Sequence, residues 1–176
     1  ARVRRFAEPG ALAGWFTSAR HPASDRADDG RLTNVPSLIL CLPFLASILV
    51  YALRSHGRNV AVGLLVGTAL VGLLLSLYLY PALAAGSVPH QTFTWAPSLG
   101  LDFSLRVDGF SWLFMLLICG IGMLVGIYAR YYMPADDPLT RLCALLLAFM
   151  GSMLGIVMSG NVIQLVFFWE LTSLTS

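Results

Sequence analysis

Residues 60–80 read VAVGLLVGTALVGLLLSLYLY, an uninterrupted run of 21 residues without a charged side chain. A transmembrane α-helix needs about 20 predominantly apolar residues to cross the hydrocarbon core of a bilayer. Inside that core each backbone N–H and C=O must find its partner within the protein, which a helix provides along its own length. This stretch therefore predicts a transmembrane helix, and Tyr78 and Tyr80 at its end suit the membrane interface.

Four further apolar segments flank this one. Of all residues, 57% are hydrophobic and 11% are charged, whereas about 25% are charged in an ordinary soluble domain. Because the segments follow one another with few charges, we predict an all-α fold, a polytopic transmembrane helical bundle of about five helices. The fifth helix is expected to be truncated by the end of the sequence. The predicted helices cover about 35–53, 60–80, 109–128, 139–159 and 162–176.

Pairs of small residues occur four positions apart within three of these helices. Such pairs allow transmembrane helices to approach each other closely, so they predict a compact bundle. The pairs are Gly63 with Gly67, Gly122 with Gly126, and Gly151 with Gly155.

The longest connection between predicted helices, residues 81–108, contains a strand pattern. Its second half alternates apolar and polar residues at the two-residue period of a β-strand, the apolar ones being Leu101, Phe103, Leu105 and Val107. The preceding QTFTW, residues 91–95, can pair with it, and residues 97–100 contain the Pro and Gly typical of a turn. We therefore predict a small hairpin in this loop.

The distribution of arginine predicts the orientation of the chain. Short loops that carry Lys or Arg stay in the cytoplasm. Arg54 and Arg58 lie in one connection, Arg130 and Arg141 flank another, and the opposite side of the bundle has Arg106 alone. We therefore expect both arginine-bearing connections in the cytoplasm and the hairpin on the extracytoplasmic side.

Residues 1–34 form a polar N-terminal extension with six Arg and four acidic residues, for which we predict disorder. Its longest apolar stretch, Ala11 to Phe16, is too short for the core of a signal peptide. In the predicted topology this extension would lie outside, against the positive-inside rule. Either it is translocated despite its charge, or the true start lies near Asn34; we favour the second explanation.

Several functions are excluded by composition. The net charge is +2 and all eleven basic residues are Arg, which does not indicate a nucleic-acid-binding face. Cys41, Cys119 and Cys143 each lie inside an apolar segment without the spacing of a metal site or a disulfide framework. The sequence has no Gly-rich phosphate loop, haem-ligand pair or nucleophile motif. We expect no cofactor, no metal and no nucleic-acid partner.

Glu170 is the acidic residue that falls within a predicted helix. It lies eight residues after Val162, about 12 Å deep at 1.5 Å per residue. An ionised carboxylate near the membrane middle costs about 2.5–3.5 kcal/mol on insertion scales, so such residues usually face a cavity or a partner. Desolvation raises the pKa of a carboxyl group and a nearby cation lowers it. Glu170 is therefore the predicted proton carrier, with Ser173, one helical turn away, as its candidate hydrogen-bond partner.

Two segments carry a family resemblance: VDGFSWLFMLLICGIGMLVGIYARYYM at 107–133 and NVIQLVFFWELTSLTS at 161–176. Both resemble the N-terminal part of the large A-type component of Mrp-type multisubunit sodium/proton antiporters. The antiporter-like subunits of respiratory complex I share the pattern, but the string WELTSLTS favours the Mrp type. The resemblance implies that Glu170 works with a Lys on a later helix, and that a broken helix beyond it completes the proton path.

The resemblance also implies a function for the chain. It indicates a transporter subunit rather than an enzyme, located in the bacterial cytoplasmic membrane, which exchanges protons for a monovalent cation such as sodium. Its expected partners are the lipid bilayer and the other membrane subunits of the complex. Two alternatives are a proton-pumping membrane subunit of an NADH dehydrogenase or membrane hydrogenase, and a structural or assembly subunit in which Glu170 pairs with a basic residue of a partner.

Overall fold

The computed structural model describes residues 34–86, 88–96, 101–134 and 139–176. Residues 1–33 of the predicted extension and the predicted turn at 97–100 lie outside these ranges. In the described part of the chain the helices are α1 Val35–Ala52, α2 Arg58–Tyr78, α3 Tyr80–Ala84, α4 Gly109–Tyr132, α5 Leu139–Met158 and α6 Val162–Thr175. The strands β1 His90–Ala96 and β2 Leu101–Arg106 lie between α3 and α4.

Four of the described helical segments are long and apolar enough to cross a membrane: α1, α2 together with α3, α4, and α5. The remaining long apolar helix, α6, has 14 residues and is shorter than a full span. The chain is therefore a multi-pass membrane protein. The predicted fold class, an all-α polytopic transmembrane bundle, is confirmed.

Two helices extend past the positions expected from the sequence. α4 continues to Tyr132 rather than ending near 128. The second span breaks at Leu79 and continues as the short α3, so that helix persists to Ala84. Pro81 explains the break, because it has no N–H to donate to the carbonyl of Leu77 one turn earlier.

α5 lies at the centre of the bundle. It packs against α1, α2, α4 and α6, and its side chains Leu147, Leu154 and Met158 are fully or almost fully buried. Ser47 of α1 donates a hydrogen bond of 2.7 Å to the carbonyl of Ala144, which adds a polar contact between α1 and α5. The other helices are thus arranged around α5.

The glycine pairs of α4 and α5 allow close packing, but they do so by accepting side chains from neighbouring helices. Gly126 lies against Leu65, Gly151 against Phe44, and Gly155 against the ring of Phe168. By contrast, a Cβ built at Gly63 or Gly67 would meet no described atom within 4 Å. The pair on α2 therefore makes no close helix contact within the described segment.

β1 and β2 pair as an antiparallel two-stranded sheet, with Thr92 opposite Ser104 and Phe93 opposite Phe103. On β2, Leu105 is fully buried, as is Val107 just beyond the strand. The hairpin adjoins the starts of α1, α4 and α6, and we call this the hairpin end of the bundle. Which side of the membrane this end faces stays a prediction.

At the opposite end, α1 turns through a 3-10 segment, Arg54–His56, into α2. Arg58 donates hydrogen bonds from its two Nη atoms to the carbonyls of Met133 and Pro134, at 2.9 and 2.8 Å. These carbonyls follow the C-terminus of α4, where a positive charge is favourable. Arg58 therefore connects α2 to α4 at this end.

Candidate functional site

The site begins where α6 starts. Asn161 has an extended backbone, and its Oδ1 accepts a 2.7 Å hydrogen bond from the N–H of Gln164. This is an N-cap, which provides a partner for one of the free N–H groups of a first helical turn. Nδ2 of the same residue donates to the carbonyl of Asp102 at 2.8 Å. Asn161 thus both starts α6 and attaches it to β2.

The next turns of α6 have distinct faces. Gln164 and Phe168, four residues apart, are buried, while Glu170 is exposed. At 100° per residue, Glu170 points about 160° away from Phe168 around the helix. Because Phe168 packs against Gly155 of α5, Glu170 faces away from α5. Its neighbours on the exposed surface include Val166 and Phe167, each about half exposed.

Neither predicted site residue has a polar partner within the described segment. Glu170 forms no hydrogen bond or ion pair with a described residue, and the structure does not bring Ser173 into a hydrogen bond with it. The nearby threonines bond to their own helix, Thr172 to the carbonyl of Trp169 and Thr175 to that of Leu171. The role of Ser173 therefore stays a prediction.

Sequence reasoning did not single out Gln164. Its side chain is 6% exposed, and its Oε1 accepts a 3.0 Å hydrogen bond from the N–H of Ser104 on β2. A signal was present in the sequence, since an amide inside the apolar run VIQLVFF needs a buried partner. That its partner lies in the connection 81–108 could be seen only in the folded structure.

Gly160 brings the same two elements together. Its N–H donates a 2.8 Å hydrogen bond to the carbonyl of Ser104, and Leu105 forms a bridge with Ser159. A Cβ at residue 160 would collide with both the side chain and the backbone of Ser104. Glycine is therefore needed for β2 to lie directly on the connection between α5 and α6.

Asp108 caps α4 at the same end. Its Oδ1 accepts a 2.8 Å hydrogen bond from the N–H of Ser111, and this bond is the main cause that lowers the pKa of the carboxyl group. Arg106 lowers that pKa further through its charge. The Ser111 hydroxyl donates to the carbonyl of Val157 at 2.7 Å, so the start of α4 is attached to the end of α5.

The described residues provide no obvious metal site, since no three His, Cys, Asp or Glu side chains among them lie close enough together to hold an ion. A cleft of about 200 Å³ lies between α2, α4 and α5. Leu65, Ile121 and Met150 contribute to its lining, which is almost entirely hydrocarbon. This cleft offers little to coordinate a cation.

The chain is similar in sequence to a known family and to two antiporter proteins. Residues 93–143 match the family described as NADH-ubiquinone oxidoreductase (complex I), chain 5 N-terminus. The chain is 50% identical over 140 residues to the A/B component of a probable K(+)/H(+) antiporter of Rhizobium meliloti, a match that covers 80% of this chain and 14% of that protein. It is 44% identical over 138 residues to the A component of the Na(+)/H(+) antiporter of Alkalihalophilus pseudofirmus, covering 76% and 17%.

A solved structure supports the same relationship. The chain superposes on the Mrp complex from Dietzia sp. DQ12-45-1b with a TM-score of 0.68 and 26% identity, covering 80% of this chain and 15% of the solved one. The resemblance to the A-type component of Mrp antiporters is confirmed. The fold also occurs in the archaeal membrane-bound sulfane sulfur reductase, with a TM-score of 0.67 and 20% identity, covering 81% and 29%. The chain spans less than a fifth of the length of its two antiporter relatives from Rhizobium and Alkalihalophilus.

Proposed function

We propose that this chain is part of the A-type component of a multisubunit antiporter in the bacterial cytoplasmic membrane, and that Glu170 carries protons. The complex exchanges protons for a monovalent cation, in contact with lipid and with other membrane subunits. The observation that carries the proposal is the position of Glu170. This acidic residue lies in an apolar helix, and its side chain faces away from α5. The relatives, whose names specify K(+)/H(+) and Na(+)/H(+) antiporters, support it.

Proton transfer at Glu170 follows from the balance between desolvation and charge. Apolar surroundings in general favour the protonated form of a carboxyl group, and a nearby cation favours the carboxylate. A basic side chain on another helix, which the family resemblance implies to be a Lys, can therefore load or unload the proton by approaching or withdrawing. Coupling of this kind gives both groups shared titration behaviour and links proton transfer to a conformational equilibrium.

The test uses the complete antiporter complex in everted membrane vesicles. Glu170→Gln preserves the size and polarity of the side chain but removes the titratable proton. We expect cation-dependent proton exchange to fall to background while the amount of assembled complex is unchanged. Glu170→Asp, which keeps a carboxyl group, serves as the matched control and should retain measurable exchange. Exchange at the wild-type rate in Glu170→Gln would show that Glu170 is not the proton carrier.

A second candidate function is proton pumping in a respiratory complex. It is favoured by the match of residues 93–143 to a complex I family. In that case proton movement in vesicles should require an electron donor such as NADH and should not respond to an added Na⁺ or K⁺ gradient. A purely structural role for Glu170 differs from both, because Glu170→Gln would then reduce the yield of assembled complex rather than the exchange per complex.

A further inference from the structure

We propose that Gln164 is a positioning residue that sets the rotation and depth of α6 against the hairpin and thereby the placement of Glu170. The inference rests on the proposed role of Glu170 as proton carrier. It concerns a polar contact between two elements that are about 60 residues apart in the sequence, β2 and the first turn of α6.

The contact is part of a continuous attachment between β2 and residues 159–164. Both backbone groups of Ser104 take part, because its N–H donates to Gln164 and its carbonyl accepts from Gly160. The carbonyl of Asp102 accepts from Asn161. β2 therefore presents a row of backbone groups to the beginning of α6.

Gln164 differs from the other members of this attachment because it lies inside the helix. Gly160 and Asn161 precede α6, so their bonds locate where the helix starts without fixing its rotation. The Gln164 side chain projects from the first turn, and a bond from it to β2 is lost when the helix rotates. Because this bond is partly shielded from water, its electrostatic strength is greater than at an exposed surface.

An apolar contact one turn further along supports the same orientation. Phe168 lies four residues after Gln164, on the same face of α6. Its ring packs edge-on against Phe103 of β2, with centroids 6.3 Å apart, and against Gly155 of α5. Ser104 and Phe103 are neighbours on β2, so consecutive strand residues hold consecutive turns of the helix. Glu170 follows Phe168 by two residues and moves with it.

The geometry also suggests a substitution that tests position rather than folding. Gln164 Nε2 is buried and has no acceptor among the described residues. Gln164→Leu removes this donor together with the bond to Ser104, while an apolar side chain continues to fill the space. The substitution leaves the N–H of Ser104 without its acceptor, which disfavours the docked position of α6. Because the space stays filled, no cavity adds to this cost.

The chain offers a matched control in the same hairpin. Gln91 on β1 donates from Nε2 to Oδ1 of Asn34, at 3.3 Å, and so connects the hairpin to the start of α1 rather than to α6. Gln91→Leu is therefore the same chemical change in the same sheet. It should leave α6 and Glu170 where they are.

The experiment measures the position of α6 and cation exchange in the complete complex. Spin labels replace Arg106, which is exposed at the end of β2, and Leu174, which is 84% exposed near the end of α6. Pulsed electron paramagnetic resonance gives the distance distribution between them. Proton exchange is recorded across pH in unlabelled vesicles. Gln164→Met, which keeps the length of the side chain, replaces Gln164→Leu if the latter does not assemble.

We expect Gln164→Leu to broaden or shift the distance distribution, to lower the ratio of docked to undocked α6 about fivefold, and to shift the pH at half-maximal exchange. Gln91→Leu should match the wild type in both measurements. An unchanged distance distribution in Gln164→Leu and Gln164→Met would overturn the positioning role, as would a changed distribution with an unchanged pH profile. Failure of the proposed function is recognised separately, by full exchange in Glu170→Gln.

Discussion

α5 and α6 are consecutive in the chain, apolar and joined by three residues, yet they differ in how much of each is enclosed. Half of the α5 span is buried, and described helices pack against it on several sides. α6 packs against α5 and touches β2, while most of its other side chains are exposed, including Trp169 at 61% and Leu174 at 84%. α5 therefore organises the described segment, whereas α6 presents Glu170 to whatever surrounds it.

The largest difference in stability between substitutions in α5 and in α6 is expected when a core side chain is truncated. Leu147 of α5 is fully buried and Leu174 of α6 is 84% exposed. Leu147→Ala removes apolar contacts and leaves a cavity, with an expected cost of about 2–5 kcal/mol. Leu174→Ala should cost about 0.5 kcal/mol or less, since surface substitutions usually do. Thermal unfolding of the purified complex in detergent measures both; equal losses would mean that α6 is enclosed as fully as α5.

A smaller effect is expected from filling the contact between the two helices. A Cβ at residue 155 would collide with the ring of Phe168, so Gly155→Leu should destabilise the complex by about 1–3 kcal/mol and reduce proton exchange by displacing α6. Gly63→Leu is the matched control, because no described atom lies within 4 Å of its Cβ. Stability and exchange are compared in the same preparations. A Gly155→Leu complex with normal exchange would show that α6 tolerates displacement.

The smallest predicted effect concerns the cap of α4 and depends on pH. The N–H of Ser111 holds the pKa of Asp108 below its usual value of 3.8. The charged form therefore stabilises the folded state at pH above 3.8, and this contribution is lost as pH falls through the folded-state pKa. Asp108→Asn keeps a good N-cap side chain, so it should cost about 1 kcal/mol or less at pH 7.

Melting of the wild type and of Asp108→Asn between pH 7 and pH 3 tests this expectation. The two melting curves should converge as pH decreases, because the wild-type carboxylate becomes protonated and resembles the neutral amide. A difference that stays constant, or grows toward acid, would mean that the charge of Asp108 does not contribute to stability.

The sequence predicted the helical bundle because length and lack of charge suffice to mark a membrane span. The alternation at Leu101 to Val107 also predicted a strand, which the structure contains as β2. Which face of each helix lies inward was not predictable in the same way. In a soluble helix the apolar face marks the core, but in a membrane lipid and protein interior are both apolar.

The candidate site could be predicted from the sequence only in part. Glu170 was identifiable because a carboxyl group inside a transmembrane helix is costly to insert and therefore rare. Its orientation away from α5 required Phe168 to be placed against Gly155. The glycine pairs predicted close packing but not that large side chains would occupy the space. Gln164 was not recognised because it bonds to the backbone N–H of Ser104. Every residue except proline has such a group, so the residue type at position 104 does not mark the partner.

The attachment of α6 at Asn161 determines how far a tilt of this helix would move Glu170. α6 is attached to β2 at its first turn, and Glu170 lies nine residues further, about 13 Å along the axis. A tilt of about 10° around that attachment would move the carboxyl group by about 2 Å while leaving Asn161 in place. A hydrogen bond to a carboxylate is lost over a smaller displacement than this. A slight change of helix angle would thus be enough to bring Glu170 into or out of hydrogen-bonding distance of a polar group beyond the described segment.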